Sequence, residues 1–249
     1  MLGRILPAAL VAALAAWEIV ATRCDATSVP RDDAWDAAAA VVRAQYKPGD
    51  LIVFAPDWVD PVGRLHLGDL IPIETAGRMD DARFGRIWEL SIRGAHAPDV
   101  AHAHEVASET HGGVTVARYE QSPAIVLTDF VKASPAQRVL AEVGFAPHQC
   151  LQLIPGPKHP VRVTIDATLG TKLVGYVGLA DVFTRRDIRD PGFLDVEIGG
   201  QRVASVTAGV DDGWVRFEVP TQPGAAQVTF VAHADARDRH ICVAAEARQ

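Results

Sequence analysis

The chain has 249 residues, 49% of them hydrophobic and 22% charged, with a formal net charge of −7. That length holds one large domain or two small ones, and the apolar share excludes wholesale disorder as well as collagen-like and coiled-coil compositions. The acidic balance argues against a nucleic-acid partner gripped by a general basic surface.

The first segment, residues 1–24, starts with a short basic stretch from Met1 to Arg4 and an apolar run from Ile5 to Trp17. The run has the size of a signal-peptide core and falls short of the roughly 20 residues a transmembrane helix needs. Ala13-Leu14-Ala15 offers a small-x-small cleavage site, yet Ile19, Val20 and Ala21 continue the apolar character beyond Glu18. The segment therefore reads as a signal peptide or as an anchor touching a membrane, with an Ala-rich helix packed on the domain as the third reading. Arg23 before Cys24 argues against a lipid-modified cysteine. Either of the first two readings places the remainder in the periplasm or outside the cell, free or anchored at the inner membrane. Three cysteines, Cys24, Cys150 and Cys242, none in a CxxC spacing, suit an oxidising compartment in which the last two can pair.

Residues 25–34 are polar, with Asp32 and Asp33 placed to cap a helix over 34–46 that Lys47-Pro48-Gly49-Asp50 stops. Leu51-Ile52-Val53-Phe54-Ala55 is a continuous apolar run, the mark of a strand buried on both faces. Residues 65–78 are loosely helical around Pro72, and Arg86–Ile92 reads as a second strand. A helix is expected over 98–110, a hairpin from 114–120 and 124–131 around Gln121-Ser122-Pro123, and a last helix from Ser134-Pro135 to Val143. This order predicts a small three-layer α/β domain, Rossmann-like and with a mostly parallel sheet, over 25–146. No glycine-rich phosphate loop follows the first strand.

The texture changes near Pro147. Val161–Asp166, Leu194–Ile198, Val215–Val219, Val228–Val231 and Ile241–Ala245 alternate at period two, separated by turns such as Gly199-Gly200 and Asp211-Asp212-Gly213. Residues 147–249 therefore predict an antiparallel β-sandwich, giving an α/β plus all-β chain.

Alternation puts Val215, Phe217 and Val219 on one face of their strand and Trp214, Arg216 and Glu218 on the other. Trp214 can serve there as a stacking platform for a sugar ring, cover an interface, or fold over the sandwich edge. In the loop 181–192, Asp181, Arg185, Arg186 and Asp187 can hydrogen-bond hydroxyls or an acidic glycan, or form ion pairs among themselves in a solvated loop. His96, His102, His104 and His111 cluster, but on a helix His102 and His104 point away from each other, which disfavours a metal site. Asp57 and Asp60, flanking Trp58, line a crevice or serve the turn. GxSxG, SxxK and HExxH are absent, so no catalytic residue, metal or cofactor is assigned.

Two resemblances add to these readings. Pro48-Gly49-Asp50-Leu51-Ile52-Val53-Phe54-Ala55-Pro56-Asp57 with Arg86-Ile87-Trp88-Glu89-Leu90-Ser91 resembles the soluble extracytoplasmic C-terminal region of membrane glycosyltransferases that use lipid-phosphate sugar donors, over about residues 34–131. That family's membrane spans and the acidic residues of its early lumenal loop are absent. Leu173–Asp181, Val196–Gly200 and Gly213–Phe217 resemble the galactose-binding-like jelly roll of carbohydrate-binding modules, over about 150–247. The second resemblance implies a sandwich that often binds glycans and whose first and last strands run side by side. Cys150 and Cys242 would then share the face turned away from the core and form a disulfide if directly opposed; two unpaired small apolar residues are the alternative. The leading expectation is a non-catalytic, extracytoplasmic, glycan-associated binding or accessory protein. The alternative is a soluble part of a glycosyltransferase system acting with a membrane partner, and a purely structural envelope protein is a third.

Overall fold

Alanine content and one apolar stripe make the helix α2 (Asp32–Gln45), which buries Ala34, Trp35, Ala38, Ala39 and Val42 along one side. Asp32 and Asp33 sit inside its first turn, where the helix dipole favours them, and the capping position falls to Arg31, whose side chain makes no cap bond. The helix ends at Gln45, ahead of Lys47-Pro48-Gly49, and Asp50 takes hydrogen bonds from Lys47 N at 3.0 Å and Trp88 Nε1 at 2.9 Å, tying the turn to the next strands. The computed structural model describes residues 2–27, 29–180 and 189–249. Ahead of α2 lies α1 (Leu2–Thr27), along which Leu10, Val11, Leu14, Trp17, Ile19 and Val20 are exposed. Among the described residues no helix is long and apolar enough to cross a membrane.

The chain divides into two compact units, Met1–Leu70 with Arg86–Gln121, and Ile71–Gly85 with Ser122–Gln249. In the first, β1 (Leu51–Ala55), β2 (Arg86–Ile92), β3 (His104–His111) and β4 (Val114–Glu120) form a sheet in the order β1-β2-β4-β3. The β1–β2 pair is parallel and the other two pairs are antiparallel. The mostly parallel sheet expected from the sequence is thus corrected to one parallel pair of three. The cause is that 104–111 is a strand rather than the tail of a helix: Gly112 and Gly113, both at positive φ, fold β3 onto β4 as a hairpin. Only Pro98–Val100 of the expected helix is helical, as one 3₁₀ turn. α3 (Asp60–Leu67) lies against β1, and Gly63 permits it: a Cβ there would stand 2.0 Å from the Phe54 ring.

The second unit is a two-sheet antiparallel sandwich. One sheet orders β11 (Gln201–Ala208), β10 (Gly192–Ile198), β13 (Gly224–Ala234) and β8 (Val161–Leu169). The other orders β12 (Val215–Pro220), β9 (Lys172–Leu179), β14 (Ile241–Arg248), β7 (Ala146–Leu153) and β6 (Arg138–Val143), with β5 (Val126–Asp129) also on β14. The period-two pattern explains the core between them: Val163, Ile165, Leu194 and Phe230 from one sheet meet Leu151, Leu173, Val177 and Ile241 from the other. Phe130 and Phe230 meet edge to face at 5.3 Å.

Two further expectations are overturned here. β4 and β5 do not form a hairpin; β5 pairs with β14, and β4 stays with the first unit's sheet. Residues 134–143 are a 3₁₀ turn, Pro135–Gln137, followed by β6, because Val139, Ala141 and Val143 share one face and complete a hairpin with β7. Pro147 lies within β7, opposite Glu142.

Candidate ligand-binding pocket on the sandwich

Residues 71–85 run over the outer face of the β12-β9-β14-β7-β6 sheet, and three successive carbonyls fasten them there. Gly77 O accepts from Gln149 N at 2.8 Å, Arg78 O from His148 Nδ1 at 3.0 Å, and Met79 O from Trp214 Nε1 at 3.2 Å. A carbonyl can only accept, so His148 carries its proton on Nδ1. Burial pushes the His148 imidazole below its ordinary value of 6.5, against the opposing pull of the Arg78 carbonyl.

Trp214 packs against both the edge of the main core and the small cluster around Cys150 and Cys242. It is half-buried, and its ring is parallel to those of His148, at 4.4 Å, and Tyr176, at 5.8 Å. Among the three roles expected of it, these contacts describe a ring that helps to hold residues 77–79 on the sheet. Gly178 makes room for it, since a Cβ there would meet Trp214 Cε3 at 3.1 Å and Val143 Cγ1 at 2.3 Å. Beneath lies a small apolar cluster of Ala141, Val143, Ala180 and the bonded pair Cys150–Cys242, whose Cα atoms are 5.4 Å apart. The two cysteines are not directly opposed. Cys242 faces Gln152, and Cys150 sits just past the end of the three-residue β7–β14 ladder, where ladder spacing no longer constrains it. Arg216 stands opposite Tyr176 and pairs with Glu218; that hydrogen bond raises the guanidinium and lowers the carboxylate from their usual ranges. Asp181, Arg185, Arg186 and Asp187 lie outside the described residues.

Between residues 74–84 and the sheet is a pocket of about 260 Å³. Met79, Val131, Ala244 and Ala245 supply apolar wall, and around them runs a chain of ion pairs. Arg83 bridges Asp129 and Glu246, and Arg248 bridges Glu246, at 2.7 Å, and Asp80, at 2.7 and 2.9 Å. Glu246 is 2% and Arg248 4% exposed, and such buried charges persist only when paired like this. Burial acts against the charged forms of Asp129 and Arg83, but the attraction of Glu246 for Arg83 and the hydrogen bond and attraction between Arg83 and Asp129 outweigh it. Asp129 is held below the ordinary carboxylate range and Arg83 above the ordinary guanidinium value. The rim carries Lys132, Arg138 and Glu74, with Thr75 and Gln149 beside them. The pocket residues escaped the sequence reading, although Glu246, with Arg248 behind it, left a signal: an acid and a base two apart on the outward parity of an otherwise small and apolar strand.

The histidine cluster of the first unit comes apart. Among the described residues no group of three or more His, Cys, Asp or Glu is arranged for a metal. His96 instead bonds through Nδ1 to Glu89 at 2.9 Å. Glu89 is fully buried and also accepts from Ala97 N at 2.6 Å and Tyr119 OH at 3.2 Å, so it staples the return after β2 onto the sheet. Burial, then the charges of Glu89 and Glu105, raise the Tyr119 hydroxyl strongly. Asp60 pairs with Arg64 on the same helix, and Trp58, 63% exposed, carries the Arg93 guanidinium 6.0 Å over its ring.

No family model matches the sequence, and no curated protein matches it. Solved structures of carbohydrate-binding modules resemble it. One is CBM51-2 in complex with GlcNAc and INT domains from Clostridium perfringens ZmpB, at 13% identity and TM-score 0.34, over 82% of this chain and 47% of that one. A second is CBM51 from Clostridium perfringens GH95 in complex with methyl-galactose, at 12% and 0.27, over 38% and 79%. A third is the CBM36-1 domain of a multidomain xylanase from the hindgut metagenome of Trinervitermes trinervoides, at 15% and 0.26, over 44% and 83%. The chain spans 28% of another ZmpB structure holding CBM51-2 and INT domains. These comparisons give no support to the glycosyltransferase resemblance.

Proposed function

We propose that this protein is a non-catalytic, glycan-associated binding or accessory protein that works outside the cytoplasm. The observation that carries the reading is the pocket above the β14 face, where hydrogen-bonding forks fixed by ion pairs surround an apolar wall. A sugar ring offers neighbouring hydroxyls that both donate and accept, and C–H faces that prefer apolar contact. Carboxylates, guanidinium groups and the Gln149 amide answer the hydroxyls, and Met79 and Val131 answer the ring. Groups already held in place lose little freedom when a ligand arrives, so weak polar contacts survive as affinity. The disulfide supports an extracytoplasmic address, because such bonds persist in oxidising compartments. The exposed apolar side chains of α1 support the same address as a leader or anchor.

A glycan array probed with the full chain tests this, alongside Thr75→Trp, which fills the pocket and leaves every ion pair intact. Glycan binding by the native chain that drops at least about tenfold in the variant is the expected result, since a blocked pocket forfeits most of its contacts. Binding that is indifferent to the substitution, or no glycan bound at all, overturns the reading.

A further inference from the structure

The charged groups of the pocket are not equivalent. Asp129 and Glu246 share Arg83, and Glu246 and Asp80 share Arg248, so each of the three acids is paired, with two guanidinium groups serving all three. Lys132 stands on the rim with its Nζ 3.6 Å from Asp129 and 66% of its side chain exposed. Arg138 differs from all of these. Its Nε and Nη2 both donate to one neutral atom, Gln149 Oε1, the Nε bond measuring 2.7 Å. Two parallel N–H groups on one guanidinium edge thus converge on a single amide oxygen. The same edge fits the two oxygens of a carboxylate, and charge-assisted pairs of that kind are about twice as strong as neutral ones.

We propose that the pocket takes a sugar ring bearing a carboxylate, a residue of the uronic-acid class, whose carboxylate replaces Gln149 Oε1 on the Nε/Nη2 edge of Arg138. The inference rests on the glycan reading and narrows it. Lys132 adds a second positive charge on the same rim, against the single exposed acid Glu74. The floor acids, each paired with Arg83 or Arg248, accept from ring hydroxyls, and Lys132, 3.6 Å from Asp129, offsets the one negative charge that two guanidinium groups leave among three carboxylates. A volume of about 260 Å³ suits one ring at a chain end rather than a long stretch of polymer.

Calorimetry on the full chain decides it, using oligogalacturonate and oligoglucuronate, their methyl esters, and the matched neutral galactose and glucose oligosaccharides. The acids are expected to bind at least about tenfold more tightly than the esters or neutral sugars. Arg138→Gln should erase that preference and Lys132→Gln should reduce it, both with an unchanged melting temperature, because both side chains are exposed. Equal affinity for esters and acids, or an acid preference that survives Arg138→Gln, overturns the inference. Binding of neutral sugars alone leaves the glycan reading standing and removes this one; no binding of either class removes both.

Discussion

At Trp214 one side chain does three things at once: its ring stacks with His148 and Tyr176, its Nε1 donates to Met79 O, and its six-membered ring covers Gly178. Truncating it removes all three and leaves the Cys150–Cys242 cluster uncovered. Trp214→Ala should therefore cost about 3 kcal/mol of unfolding free energy in denaturant titrations, the low end for losing a packed tryptophan, since the site is only half-buried. A cost below about 0.5 kcal/mol, the usual range for surface changes, would show the ring to be a free platform after all. Strand parity alone separates Trp214 from Val215, Phe217 and Val219 but does not show that it packs against the edge of the core as well. It could not reveal that Met79, 135 residues earlier, supplies the acceptor.

The elements differ in how openly they declare themselves. β8, β10 and β12 alternate cleanly because one face of each meets the core and the other does not, whereas β14 is buried on both faces. β3 carries no such mark: its residues are exposed on both faces, so its Ala, Glu and His content imitates a helix. β6 is preceded by Ser134-Pro135, a good helix opening, and only its pairing with β7 decides the matter. The segment 71–85 was the least legible, since its place depends on backbone carbonyls that the sequence does not display. Its seam with the sheet is where acid should act first. His148 holds its proton less readily folded than unfolded, so its share of stability is complete above 6.5 and is lost as the pH falls through the lower folded value. Asp129, also depressed, adds a second loss that begins only below 3.8. Hydrogen exchange at the Gln149 amide, which is bonded to Gly77 O, should quicken relative to the other β7 amides as the pH falls below 6.5. In His148→Gln that first stage should vanish; an unchanged profile would refute the assignment.

At the scale of the molecule, a helix with exposed apolar side chains and the Cys150–Cys242 crosslink accompany a formal net charge of −7. The Cys150–Cys242 bond spans 92 residues, and closing a loop of that length removes on the order of 4 kcal/mol from the unfolded ensemble. The extracytoplasmic reading then makes a joint prediction. In a bacterial host the chain should fractionate with the periplasm or inner membrane and carry Cys150 and Cys242 oxidised by non-reducing mass spectrometry. Reduction should lower its melting temperature by several degrees or more. Free thiols on a chain recovered from the cytosol would overturn it.

The order of synthesis gives β14 a further significance. It is the last strand of the sequence, yet it lies at the centre of its sheet, between β9 and β7, and it also carries Glu246 and Arg248 under the pocket. On the ribosome β9 is finished roughly 60 residues before β14 begins, a delay of about 3–12 s at ordinary elongation rates. Throughout that interval β7 and β9 each present a bare edge to the other across a gap one strand wide, and residues 71–85 have no floor to lie on. The pocket therefore cannot form before β14 is made: a ribosome that stalls before residue 241 releases two flanks of a sheet with no floor between them.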